Sequence, residues 1–236
     1  MKRRYKLLII IIIGSMMAIL IHNDKKNDKV TLVAIGDSLS VALTPYGVNG
    51  TSFTDYLYEE LSKQNKLKNY NYDYSYNHLT IKELNELIEK NNVDNGIPIK
   101  QLLSKANVIT IAIGIDELAD ISIKRDIHNE DINNYITEYE IFLQSIREFY
   151  HNRIYLIGLY QVYSLTRNNI IDLNKKLRIL SGKYNAYFID IFPYTLDKDY
   201  YFSNDNYFLN YRIHKKISSI ILNSLKIWIN FLLVNY

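Results

Sequence analysis

The sequence predicts an α/β fold: a three-layer sandwich in which helices cover both faces of a parallel five-stranded sheet, preceded by one N-terminal membrane helix. Three observations lead there. Four of five runs of strand length are largely apolar, the pattern of parallel strands buried on both faces. Stretches with apolar residues at helical spacing separate them. The order is a regular β-α alternation, ten elements in all, which suits a sheet with crossover helices.

The elements follow in chain order. Val30 to Ile35, "VTLVAI", is a buried strand rich in β-branched residues. Phe53 to Gln64 places Phe53, Leu57 and Leu61 on one helical face. Tyr70 to Ser75 is a weaker strand. Ile81 to Lys90 is a helix, with Thr80 at its N-cap and Glu83 three residues on, a capping box. Val108 to Ile113, "VITIAI", is the clearest strand. Ile132 to Tyr150 is a long helix, Arg153 to Leu159 a strand, Ile170 to Lys183 a helix and Ala186 to Ile191 the last strand. A helix from His214 to Leu233 closes the chain. Pro45, Pro98 and Pro193 fall in loops. In such a sheet function gathers in the loops at the carboxyl ends of the strands, where Ser38, Asp116 and Gln161 stand.

Three segments divide the 236 residues. Residues 1–21 carry a basic start (Lys2, Arg3, Arg4, Lys6) and then fifteen uncharged residues, Leu7 to Ile21. Length alone suits a signal peptide. No A-x-A-like cleavage site follows, however, so an uncleaved signal anchor is the expectation; a buried core helix would not begin with four cations. Either export reading leaves the basic end in the cytoplasm and the rest outside. The expected location is a bacterial cell membrane, single-pass, with an extracytoplasmic domain. Residues 22–29 are a polar linker, and residues 30–236 form one domain.

Charge must be read with that division in mind. Four of the 28 Lys and Arg precede the apolar run and no acid does, so the remainder carries 24 bases against 25 acids, a net of −1. No nucleic-acid surface is expected. There is no cysteine, which excludes disulfides and a lipidated cysteine. No HExxH, GxxxxGK[ST] or GxGxxG occurs, so no metal and no cofactor is expected. The 22 tyrosines are spread along the chain, and packing accounts for them by default.

One stretch carries chemistry. Gly36-Asp37-Ser38-Leu39 follows the first strand, and "ITIAIGIDEL", "IYLIGLY" and "DNYFLN" follow in order. Together these resemble the blocks of the SGNH, or GDSL, hydrolases, whose fold is a flavodoxin-like α/β/α sandwich and whose reaction is acyl-ester hydrolysis. The resemblance implies Ser38 at the nucleophile position and Asp205 at that of the acid which orients a histidine three residues later. It implies Asp37 as a structural residue. It also implies an oxyanion held by the serine N–H, the N–H of a glycine in the second block, and an asparagine amide in the third.

Three positions depart from that pattern. Phe208 stands where the histidine belongs, and a phenyl ring accepts no proton. Aligning "IGIDEL" puts Gly114 on the third-block glycine and Asp116 on the asparagine, with Glu117 beside it. An ionised carboxylate only accepts hydrogen bonds; Asp116 either faces the oxyanion with like charge or turns away to cap the next helix. Asn77 or His78 occupies the second-block glycine position. His78 reads as a loop residue, and His214 as an exposed residue of the closing helix beside Lys215 and Lys216. Two functions follow as expectations: a cell-surface binding or scaffolding module with lost or reduced catalysis, its ligand an acylated glycan, lipid or peptide, or an active esterase using Ser38 with a non-standard base.

Overall fold

A computed structural model describes residues 29–91, 96–162, 165–203 and 207–234. Five strands lie among them: β1 (Val30–Gly36), β2 (Leu67–Ser75), β3 (Val108–Ala112), β4 (Arg153–Ile157) and β5 (Tyr187–Ile189). They form one sheet in the order β2-β1-β3-β4-β5, and every pair is parallel. Parallel pairing requires crossovers, and the helices supply them: α1 (Phe53–Lys63), α2 (Ile81–Lys90), α3 (Ile99–Lys105), α4 (Ile115–Lys124), α5 (Asn129–Arg147), α6 (Arg167–Lys183) and α7 (Tyr211–Val234). α1 packs against α7, and α2 and α6 both touch α5, so helices cover both faces of the sheet.

Burial explains the strand composition. Leu32, Ile35, Ile109, Ile111, Ile154 and Leu156 are fully buried. Adjacent residues of a strand point to opposite faces, so both faces are dry. Each such side chain contributes about 1.5–3 kcal/mol. The capping box at Thr80 and Glu83 forms as the sequence predicts, and a second one forms at Ser52 and Asp55.

Boundaries shift by a few residues, as helix ends commonly do. α5 begins at Asn129 rather than Ile132 because its first turn is polar, with Asp131 capping it. β5 is cut to three residues, pairing only with β4 at the sheet edge. Sequence periodicity missed α3 and α4. α3 has only seven residues, too few to show a period. α4 follows β3 with no polar break, and its apolar start merges with the strand in "ITIAIGIDEL". Among the described residues no helix is long and apolar enough to cross a membrane. The expected anchor, residues 1–21, and nearly all of the linker lie outside the described residues.

The sheet order reverses direction between β1 and β3, which opens a crevice beyond their carboxyl ends. Gly36 and Ala112 are paired there. A Cβ on Gly36 would lie 1.8 Å from the Ala112 carbonyl oxygen, so the close approach requires glycine. We expect Gly36→Ala to cost at least ~3 kcal/mol, whereas Gly47→Ala, at a positive φ of 73° in open space, should cost about 1 kcal/mol. Denaturant midpoints of the two variants check the contrast.

Candidate active site

Both walls of the crevice are built from chain leaving the central strands. After β1 the chain turns tightly through Asp37–Leu43. After β3 it passes through Gly114, whose φ of 106° starts α4 abruptly. A Cβ on Gly114 would lie 2.3 Å from the Tyr135 hydroxyl oxygen and 2.4 Å from its ring, so this close packing also excludes a side chain.

Asp37 joins the two walls. Its Oδ2 accepts the N–H groups of Gly114 at 2.7 Å and Ile115 at 3.1 Å, and its Oδ1 accepts that of Leu39 at 3.1 Å. The first two bonds cap α4, whose N-cap, Gly114, has no side chain to do so. Burial first, and the nearby Asp116 second, push the Asp37 carboxyl well above the usual carboxylate range.

Asp116 is the second residue of α4 and does not cap it. Its carboxylate, 8% exposed, turns into the crevice. One oxygen, Oδ2, accepts three hydrogen bonds: the Ser38 hydroxyl, the Ser38 N–H at 3.2 Å and the His78 N–H at 3.2 Å. Of Asn77 and His78, the two residues the sequence offers for the second-block position, it is His78 whose N–H points into the crevice. Its φ of 61° is the left-handed conformation that glycine adopts freely. Its imidazole is 67% exposed, with Nδ1 3.8 Å from Asp116 Oδ2. Asn77 instead donates to Asn49 Oδ1 at 3.1 Å.

Ser38, Leu39, Ala42, Leu43, Asp116, Tyr160, Tyr207, Phe208, Leu209 and His214 line the remaining cleft, which holds about 10 Å³. That is room for roughly one water. Phe208 closes it together with Tyr207, their rings stacked 4.6 Å apart. Asp205 lies outside the described residues. Glu117 faces α2, accepting the Ile81 N–H at 3.3 Å, and Gln161 is spent on its own loop, donating to the Val162 and Leu165 carbonyls. Among the described residues no group of three or more His, Cys, Asp or Glu could hold a metal ion.

His214 departs from its sequence reading. It is 2% exposed, stacks parallel to Phe53 at 6.4 Å and forms part of the cleft. The helical period explains this: Ile213, Ile217 and Ile221 are buried on the same α7 stripe, and His214 borders it, while the neighbouring lysines point out. Nδ1 is buried without a hydrogen-bond partner. Burial pushes the imidazole down to about 4, against smaller opposing effects of Asp55 and a hydrogen bond to the Leu209 backbone. Tyr160 was also not singled out by the sequence, though it closes the stretch "IYLIGLY".

A five-stranded parallel sheet with a nucleophile-position serine beyond β1 and a buried aspartate before it defines the SGNH hydrolase class. The sequence matches the family described as GDSL-like lipase/acylhydrolase over residues 32–215, and the chain belongs to that family. Solved structures agree in fold. A lipase/acylhydrolase from Enterococcus faecalis is 16% identical, with a TM-score of 0.60 over 84% of this chain and 95% of that one. An acetyl-xylooligosaccharide esterase from Geobacillus is 15% identical, with a TM-score of 0.61 over 83% and 94%. A psychrotrophic esterase from Pseudoalteromonas is 15% identical, with a TM-score of 0.59 over 86% and 100%. A comparison with curated protein sequences finds no match.

The buried His214 generates a pH dependence. The unfolded chain takes up a proton near pH 6.5, and the folded one only near pH 4. Stability from this group is full above about pH 6.5 and is lost as pH falls toward 4, by up to ~3 kcal/mol. A His214→Phe variant should lose correspondingly less stability than the wild type between these limits, as urea titrations at several pH values would show.

Proposed function

We propose that this domain is a GDSL-family relative whose catalysis is lost or strongly reduced, and that it serves as a binding or scaffolding module held at the outer face of a bacterial membrane by its N-terminal segment. The observation that carries the reading is the position of Asp116 Oδ2. It sits on the Ser38 and His78 N–H groups, the two backbone donors that the family assigns to the oxyanion. The carboxylate thus imitates the reaction's anionic oxygen and fills its place.

Three physical consequences follow. A substrate carbonyl finds both backbone donors taken. An oxyanion forming about 4 Å from Asp116 would meet a repulsion of about 4 kcal/mol at an effective dielectric of 20, roughly 10³ in rate. The amide donor that an asparagine would supply is missing as well, a further ~10² to 10³. Phe208 adds the absence of a base at the family's histidine position; the Ser38 hydroxyl keeps its proton and donates a hydrogen bond to a carboxylate, a class of group far less basic than imidazole.

The family's esters suggest the ligand class: an acylated glycan, lipid or peptide near the membrane. The related acetyl-xylooligosaccharide esterase favours a glycan only by analogy of fold. A second reading, an active membrane-anchored esterase with a non-standard base, is favoured by one observation. His214 lies in the Ser38 cleft with a neutral ring and an unpartnered Nδ1.

A serine-directed fluorophosphonate probe decides between them. We expect no labelling of Ser38 in the wild type, and labelling with ester hydrolysis in the double variant Asp116→Asn, Phe208→His. Wild-type labelling that disappears in Ser38→Ala and in His214→Phe would establish the second reading instead.

A further inference from the structure

The parallel topology sorts charge between the two ends of the sheet. Lys29 and Lys66 directly precede β1 and β2, Lys105 and Lys183 end the helices that return to β3 and β5, and Arg153 opens β4. In the segments at these junctions, residues 64–66, 104–107, 148–153 and 183–186, Glu148 is the only acid. Lys105 is exposed and Lys66 half-buried, and neither makes an ion pair among the described residues. Lys183 does pair, with Glu140. Arg147, at the end of α5, spends its guanidinium on the carbonyls of Tyr150, Asn152, Tyr184 and Asn185, so no carboxylate neutralises it there. Between the amino ends of β4 and β5 the rim opens into a hollow of about 250 Å³, lined by His151, Asn152, Arg153 and Asn185 among others.

The opposite end carries both signs. Asp116, Glu117 and Asp120 follow β3, and Asp190, Asp197 and Asp199 follow β5, but Lys198 stands between the last two, and Asp190 and Asp199 pair with Arg178 and Arg212. A domain with almost no net charge therefore gathers bases with few acids at the amino ends of its strands. Lysines at helix C-termini have a local reason, since they complement the helix dipole. That reason does not account for Lys29 or Arg153, which lie outside helices.

We infer that this basic rim is a docking surface for an anionic lipid bilayer. The chain enters β1 at this end, and the eight-residue linker 22–29 reaches at most about 28 Å. If residues 7–21 are the anchor, which this inference takes from the reading above, the rim is the part of the domain held nearest the headgroups. Positive groups near an anionic surface are attracted within about 10 Å at ordinary salt. The hollow beside Arg153 then accepts a lipid phosphate, and the crevice faces away from the membrane.

Amide hydrogen exchange tests this on the full chain inserted into two kinds of vesicle, phosphatidylcholine alone and phosphatidylcholine with phosphatidylglycerol. On the anionic vesicles we expect the four amino-end turns to exchange about fivefold or more slowly than on the neutral ones. Turns at residues 76–80, at the crevice end, should not change. The difference should vanish in about 1 M salt, where screening acts within ~3 Å, and in Lys66→Glu, Lys105→Glu. Equal exchange on both vesicles, or equal protection at both ends of the domain, would overturn the inference. Failure of the chain to enter neutral vesicles would instead overturn the anchor reading, and the salt-dependent protection on anionic vesicles would still decide the surface.

Discussion

The crevice depends on one buried carboxylate. Asp37 binds three N–H groups from two segments that are nearly eighty residues apart in sequence. Without it, the first turn of α4 would lose its cap, and three buried donors would be left unpaired, each at a cost of about 1–3 kcal/mol. Burying a charge is expensive unless it is well hydrogen-bonded, and Asp116 nearby adds like charge. The raised affinity of Asp37 for a proton records that tension. The clamp nonetheless holds Ser38 and Asp116 face to face, because each is bonded to or adjacent to a residue it fixes.

This geometry explains why a single functional group changes the meaning of the site. An asparagine at 116 would donate to an incoming oxygen. A carboxylate there has nothing to donate and instead collects the donors that point into the crevice. The helix N-terminus under it favours an anion, so the dipole and the Ser38 and His78 N–H groups together stabilise the carboxylate. Ser38 adds its own proton to that arrangement. The aromatic closure by Tyr207 and Phe208 then leaves little volume, so binding an ester there requires both the carboxylate and the rings to move.

A parallel sheet also has a vectorial consequence. The crossover helices that return to the sheet end beside the amino ends of the strands, and the loops that leave it all begin at the other end. Capping preferences are local, with acids at helix starts and bases at helix ends. Topology adds them in register, so the bases at helix ends gather at the amino ends of the strands.

The strands were legible because parallel strands buried on both faces must be apolar, and Val30–Gly36 and Val108–Ala112 are. Their order with the helices made the class of sheet readable too, and "GDSL" in that context identified the family. Thr80 and Glu83 showed where α2 starts because capping is written in adjacent residues. The departures at Asp116 and Phe208 were equally visible as letters. Their meaning was not. Whether Asp116 capped a helix or turned into the crevice depended on Asp37 having already taken the cap, a contact between distant segments. That the N–H of His78 meets Asp116 depended on a backbone dihedral. His214 was misread because burial depends on which stripe of α7 faces the core, and one helix residue beside two lysines carries no sign of it. Side-chain chemistry is thus local and stands in the sequence, whereas the partners that give a carboxylate or an imidazole its role are assembled only by the fold.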